Sequence, residues 1–191
     1  AAAGGLVQVT RDAALIDRAD AVVLPGQGHF GEAMKRLEAE GLRAPLAARL
    51  ASNRPFLGIC LGLQVLFESS EEAPDVAGFG YFPGRVRRFP TAIENRRLTV
   101  PAMGWNRVTP VGPAGRELIV AAERYYFVHS YYVEPADPAT IAAETRHGIR
   151  YCSAAAKPPV YAVQFHPEKS SAHGLALLRR FIAAAGRAPR R

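Results

Sequence analysis

The residues best suited to covalent chemistry stand at Gly58-Ile59-Cys60-Leu61-Gly62. An apolar strand-like run leads into this segment and a helical run follows, so it reads as the cysteine counterpart of the G-x-S-x-G nucleophile elbow. A sharp strand-to-helix turn leaves no space beside the nucleophile, which explains the glycines. The helix N-terminus favours the thiolate of a thiol whose free pKa is about 8.5. Cysteine is also a common packing residue. Cys152 has no such flanks and reads as packing, whereas the glycines around Cys60 favour chemistry. A second group is His166-Pro167-Glu168, after the apolar residues 160–165. Residues two apart in extended chain point the same way, so Glu168 can bond one nitrogen of His166 and leave the other for a thiol. Pro167 fixes the backbone between them. His29, His129, His147 and His173 lack a comparably placed carboxylate, with His129 the weak alternative. A third group is the turn Pro25-Gly26-Gln27-Gly28, whose backbone N–H groups could meet a developing oxyanion together with the amide of Leu61. Taken alone, such a turn also arises for steric reasons.

These groups need elements to hold them. Residues 6–10 and 21–24 read as short buried strands, the second ending in the PGQG turn. Residues 30–40 read as a helix with Phe30, Met34 and Leu37 along one face and Gly41 as the stop, and residues 46–50 as a second helical piece. Residues 56–59 form a strand into Cys60, and residues 63–67 continue as a helix. Strand then helix, repeated, predicts a parallel sheet with helices on both faces. Residues 79–89, 98–108, 125–133 and 141–153 read as strand-like segments broken by Pro and Gly, hence antiparallel additions. Residues 160–165 form another buried strand. With Ser170 or Ser171 as N-cap, residues 174–185 close the fold as a helix. The expectation is one α/β domain with a mixed sheet over residues 1–186 and a basic tail over 187–191.

The chain of 191 residues is 49% hydrophobic and 21% charged, a globular rather than disordered composition. Its longest mostly apolar stretch, residues 56–67, is too short to span a bilayer, and residues 1–10 lack the features of a secretory signal. With two cysteines no disulfide framework is expected, and a reducing cytoplasm fits. The net charge of +7 raises nucleic acid as a partner. The basic groups, Arg85, Arg87 and Arg88 with Arg96 and Arg97, and the tail Arg187, Arg190 and Arg191, have no interleaved stacking aromatics. They read as solvated surface, with an acidic protein partner as the better minority reading. There is no CxxC, HxxxH or acidic cluster at ligand spacing, and no Walker or dinucleotide fingerprint, so no metal, cofactor or nucleic acid is expected.

Taken together, GICLGLQ with Cys60, the PGQG turn and QFHPEKS with His166 and Glu168 resemble the class I, triad-type glutamine amidotransferases. Within that family the resemblance is nearest to the glutaminase subunits of imidazole glycerol phosphate synthase, on Pro101-x-Met103-Gly104-Trp105-Asn106, Phe127-Val128-His129-Ser130-Tyr131 and the ending Lys169-Ser170. It runs along essentially the whole chain. It implies a flavodoxin-like three-layer α/β/α fold, with Cys60 as nucleophile, His166 as base and then acid, and Glu168 as its orienter. Gln64 and Glu72 match residues that hold the amino-acid part of glutamine, completed by Gly28 and the backbone around Ser130 and Tyr131. Gly26, Gln27 and Gly28 match the oxyanion strand, where Gln27 replaces the usual Val; the donors there are backbone groups. Met103, Trp105, Asn106 and Lys169 fall where the family faces its synthase partner, a (β/α)8 barrel joined as a heterodimer. No metal or organic cofactor is implied.

The family begins with a strand and an Asp-Tyr-Gly-x-Gly-Asn segment that nothing here matches. The expectation is that on the order of 20 to 25 residues lie upstream, and that residues 6–10 and 56–59 lack ladder partners without them. Three other functions stay open on the sequence. One is another triad amidotransferase, serving chorismate, pyridoxal phosphate or nucleotide synthesis. The others are a free-standing γ-glutamyl cysteine hydrolase and a non-catalytic binding subunit.

Overall fold

A computed structural model describes residues 2–94 and 96–187. In chain order the strands are β1 (Val22–Gly26), β2 (Phe56–Cys60), β3 (Phe67–Ser70), β4 (Phe82–Arg88), β5 (Ala92–Ile93), β6 (Arg96–Arg97), β7 (Ala102–Pro110), β8 (Glu123–His129), β9 (Tyr131–Pro135), β10 (Ile141–His147), β11 (Ile149–Lys157) and β12 (Val160–Val163). The α-helices are α1 (Ala13–Arg18), α2 (Phe30–Ala39), α3 (Arg43–Ala51), α4 (Leu61–Gln64), α5 (Gly112–Leu118) and α6 (Ser171–Arg187).

The main sheet runs β1-β2-β12-β11-β10-β7-β8. β1, β2 and β12 are parallel, and the strands beyond them alternate in direction. A side branch, β3-β4-β9, joins β11 through Val133 opposite Cys152. Alternation along the central strands assigns their side chains to two cores. Phe56, Val160 and Ala162 face Phe30 and Met34 of α2 and Leu46 and Leu50 of α3. Leu57, Ile59, Tyr161 and Val163 face Leu118 of α5 and Leu177 and Phe181 of α6. The result is the expected three-layer arrangement. Each fully buried large apolar side chain contributes about 1.5–3 kcal/mol. Arg49, buried on α3, donates to the carbonyls of Ala19, Asp20 and Pro55, tying that helix to the entries of β1 and β2.

Several expectations need correction. Residues 6–10 form no strand; Leu6, Val7 and Val9 stand in solvent. Strand propensity holds no strand without a ladder partner and a face to bury. Residues 56–59 are not short of partners: β2 pairs with β1 on one side and β12 on the other. Of the three parallel strands β1, β2 and β12, the one with a single ladder neighbour among the described residues is β1. Residues 63–67 are not a continuing helix, because α4 ends at Gln64 and Phe67 opens β3 against β4. Residues 125–133 and 141–153 are not single strands. The first divides at Ser130 into β8 and β9, and the second at Gly148 into the hairpin β10–β11. Helices α1 and α5 were not legible. The first is six residues long and capped by Asp12, whose side chain accepts the Ala14 N–H, and the second hides in Gly112-Pro113-Ala114-Gly115. Of the expected basic tail, residues 188–191 lie outside the described residues. Among the described residues no helix is long and apolar enough to cross a membrane.

Candidate active site

Cys60 closes β2 and Leu61 opens α4. The turn is sharp enough to put Cys60 at φ 56° and ψ −107°, a conformation costing a non-glycine residue on the order of 1–3 kcal/mol. The glycines on either side are steric requirements. A Cβ on Gly58 would lie 2.6 Å from the Gly62 carbonyl oxygen, and one on Gly62 would collide with the Leu24 carbonyl oxygen of β1. Burial pushes the Cys60 thiol up to about 11, opposed by the Leu61 N–H; Glu168 raises it further, and Gln164 and Lys169 pull it down. At neutral pH the sulfur therefore carries its proton in this arrangement and needs a base to attack anything.

The base stands at the end of the neighbouring strand. β12 pairs in parallel with β2, Ala162 beside Gly58 and Val163 beside Ile59, so the chain after Val163 emerges next to the elbow. His166 then leads the 3-10 turn Pro167–Lys169. Its Nδ1 lies 2.7 Å from Glu168 Oε1. The carboxylate accepts there, so Nδ1 carries the hydrogen and Nε2 offers its lone pair. Nε2 is buried and has no hydrogen-bond partner among the described groups. The His166 backbone is also fixed: its N–H donates to the Tyr126 carbonyl, and its carbonyl accepts from the Ser170 hydroxyl. That hydroxyl in turn accepts the Tyr126 N–H, so it is spent on the His166 turn.

The PGQG turn meets the elbow through register, with Gly26 opposite Cys60. Gly28 has φ +107°, a conformation that favours glycine, and both Gln27 and Gly28 are exposed. Gln64, buried on α4, donates through Nε2 to the Tyr131 carbonyl and to Gln164 Oε1. Glu72 accepts the Phe30 N–H at 2.7 Å, placing its carboxylate at the start of α2, just after the turn. The Ser130 carbonyl accepts from the Phe89 N–H. Thus Cys60, Leu61, Gly26, Gln64 and Tyr131 converge directly, while Glu72 reaches the site through the start of α2. His129 does not compete with His166 as the base: its Nδ1 donates to the Tyr131 carbonyl at 2.7 Å and Nε2 accepts from the Tyr151 hydroxyl. Burial pushes its pKa down to about 4, so it is a neutral packing group.

On the outer strands, Met103 and Trp105 project into solvent, at 68% and 44% exposure, so Trp105 is no core residue. Trp105 sits opposite Tyr126 of β8, ring edge to face at 6.2 Å, and the Lys169 ammonium lies 5.8 Å from the Tyr126 ring centre. Asn106 is half-buried on the other face, opposite Tyr125. The arginines of β4 are partly neutralised, Arg85 by Glu134 and Arg87 by Glu71 and Glu134. Sequence reasoning passed over Gln164 and the Ser170 hydroxyl. The available signal for Gln164 was a lone amide inside the apolar run 160–165.

Known proteins are similar to this chain over most of its length. The family described as glutamine amidotransferase class-I matches residues 6–185. The chain is 50% identical over 186 residues to "Imidazole glycerol phosphate synthase subunit HisH" of Aromatoleum aromaticum, covering 95% of this chain and 87% of that protein. Its likeness to the proteins of the same name from Nitrosospira multiformis and Dechloromonas aromatica is 46% and 45%, over 93% and 95% of this chain and 84% and 85% of theirs. Among solved structures, a glutamine amidotransferase crystal structure superposes with TM-score 0.69 at 18% identity, over 93% of this chain and 85% of that one. The glutaminase domain of Trypanosoma brucei CTPS with bound acivicin gives 0.64 at 19%, over 93% and 75%. At those identities the structural likeness speaks for the fold.

Proposed function

Because the chain belongs to the class I glutamine amidotransferases, we propose that it is the glutaminase subunit of an imidazole glycerol phosphate synthase, releasing ammonia from glutamine for a synthase partner in histidine biosynthesis. The observation that carries the reading is the convergence of three parts: a strained elbow cysteine, a His166–Glu168 pair with Nε2 unengaged, and a glycine turn in register with the cysteine. One relative 50% identical over 95% of this chain, and others at 46% and 45%, carry the name of that subunit.

In this reading His166 Nε2 takes the Cys60 proton as the sulfur attacks the side-chain carbonyl carbon of glutamine. Charge gathers on the carbonyl oxygen, which the Leu61 N–H and the backbone of Gly26, Gln27 and Gly28 receive. The C–N bond then breaks, His166 returns the proton to the departing nitrogen, and ammonia leaves behind a γ-glutamyl thioester. Water attacks the thioester with His166 again as base, and the C–S bond breaks to give glutamate and the free thiol. Glu168 keeps Nδ1 protonated and steadies the imidazolium. Gln64, Glu72, Ser130 and Tyr131 hold the amino-acid part of the substrate. Ammonia passes into a (β/α)8-barrel partner seated over Met103, Trp105, Asn106 and Lys169, where it is used to make imidazole glycerol phosphate and an aminoimidazole carboxamide ribonucleotide. The setting is cytoplasmic.

The test is steady-state glutamate release by the chain alone and saturated with the barrel subunit and its nucleotide ligand. Activation by the partner is expected. A chain equally fast alone and in complex would instead be a free-standing hydrolase.

A further inference from the structure

Gln164 follows β12, is completely buried, and has no part in the steps above. Its amide is shared between two residues of the site. Nε2 lies 3.7 Å from Cys60 Sγ, and Oε1 lies 3.1 Å from Gln64 Nε2. An amide can be turned end for end, so the network must decide which end faces the sulfur. The Tyr131 carbonyl decides it, since a carbonyl can only accept. The Gln64 atom 3.2 Å away must therefore be its NH2 group. The same NH2 has one further hydrogen, directed at Gln164, so the atom it meets there must be the oxygen. The NH2 of Gln164 is then left facing Cys60. His129 fills the other lone pair of the Tyr131 carbonyl from Nδ1, which keeps that anchor an acceptor on both sides. The chain of bonds thus has one direction, and it ends with an N–H on sulfur.

We propose that Gln164 is the positioning residue of the glutaminase reaction: its amide, held in one orientation by Gln64 and the Tyr131 carbonyl, donates to Cys60 Sγ and stabilises the thiolate that attacks. The inference rests on Cys60 being the nucleophile, as read above. A donor to sulfur gains most when the sulfur is charged, because hydrogen bonds to ionised acceptors are roughly twice as strong as neutral ones. Gln164 also ties the nucleophile to Gln64, so a substrate held by Gln64 is coupled to the state of the sulfur. The charged groups acting on the Cys60 thiol are Glu168 and Lys169, with His166, the base of the reading above, bonded to Glu168; substitution at 164 leaves all three in place.

The experiment uses the chain in complex with its synthase partner and follows alkylation of Cys60 by iodoacetamide against pH, located by peptide mass so that Cys152 is counted separately. Gln164→Leu keeps the volume and removes the donor. Its Cys60 alkylation midpoint should rise by about one pH unit, and kcat for glutamine should fall roughly tenfold with KM changed by less than about twofold. Gln164→Glu keeps the shape and faces the sulfur with a carboxylate oxygen; the midpoint should rise further than in the Leu variant. If Leu disturbs folding, the Glu variant alone decides. A midpoint unmoved in a folded variant would overturn the proposal and reduce Gln164 to packing. Alkylation needs no turnover, so that failure leaves the glutaminase reading untouched, whereas full glutaminase activity in Cys60→Ala would remove the reading itself.

Discussion

The elbow around Cys60 and the outer edge at β7–β8 belong to one sheet and are built on opposite terms. At the elbow every neighbouring position is filled: the flanking glycines have no room for a methyl group, the strand is paired on both sides, and the His166 turn is pinned by three hydrogen bonds. At the edge, Met103 and Trp105 face solvent on β7, whose outer neighbour β8 ends the sheet. A strained nucleophile persists only where its surroundings over-determine it. Exposed Met and Trp on one strand make sense as anchors for a partner. Tyr126 belongs to both regions, because its ring packs on Trp105 while its backbone N–H and carbonyl hold Ser170 and His166.

Substitutions at the two regions should therefore fail differently. With Cys60 itself left in place, the largest effect is expected from Glu168→Ala, which leaves Nδ1 of His166 without its acceptor. Glutamine hydrolysis should fall on the order of 10²- to 10⁴-fold with the fold intact. A loss under threefold would mean that the pair does not orient the base. Gly62→Ala comes next, since the new methyl meets the Leu24 carbonyl; chemical denaturation should show a loss of about 3 kcal/mol, and an unchanged midpoint would contradict the packing described here. Trp105→Ala moves to the other region. It should weaken partner binding by roughly 2 kcal/mol while the melting temperature stays put, and a large drop in melting temperature would return Trp105 to the core.

A smaller effect concerns pH. His129 has its pKa pushed down from 6.5 to about 4, so the unfolded chain binds a proton there that the folded chain refuses. Its contribution is complete above 6.5 and is lost as pH falls toward 4, with a slope of up to about 1.4 kcal/mol per unit. In His129→Phe the unfolding free energy between those values should lose one proton of dependence, read from denaturant curves at several pH values. An unchanged slope would show that His129 titrates normally. The smallest effect is expected from Arg85→Ala on the outside of β4, less than about 1 kcal/mol, because its pair with Glu134 is solvent-exposed.

Much of the elbow region was legible because its constraints are local. Glycines flanking a cysteine, and a histidine two residues from a glutamate, announce geometry within a few positions. The parallel strands β2 and β12 were legible for the same reason, as uninterrupted apolar runs. The divided segments were harder. Ser130 and Gly148 end one strand and begin another with different partners, and a choice of ladder partner leaves no local trace. Residues 6–10 have strand-like alternation but no neighbour to pair with, so propensity misled. α5 was missed because Gly and Pro read as a break, whereas Pro113 sits at the helix start and Gly115 lets the helix lie against the Ala142 carbonyl. Gln164 was missed because its role depends on Gln64 and Tyr131, far away in sequence.

The separation of the two regions is tested most directly by Cys60→Ala in the assembled synthase, with product formation measured from glutamine and from added ammonium salt. Glutamine-driven synthesis is expected to fall to background while ammonia-driven synthesis keeps the wild-type rate. Retention of glutamine-driven synthesis, or loss of both activities in a properly assembled complex, would contradict it.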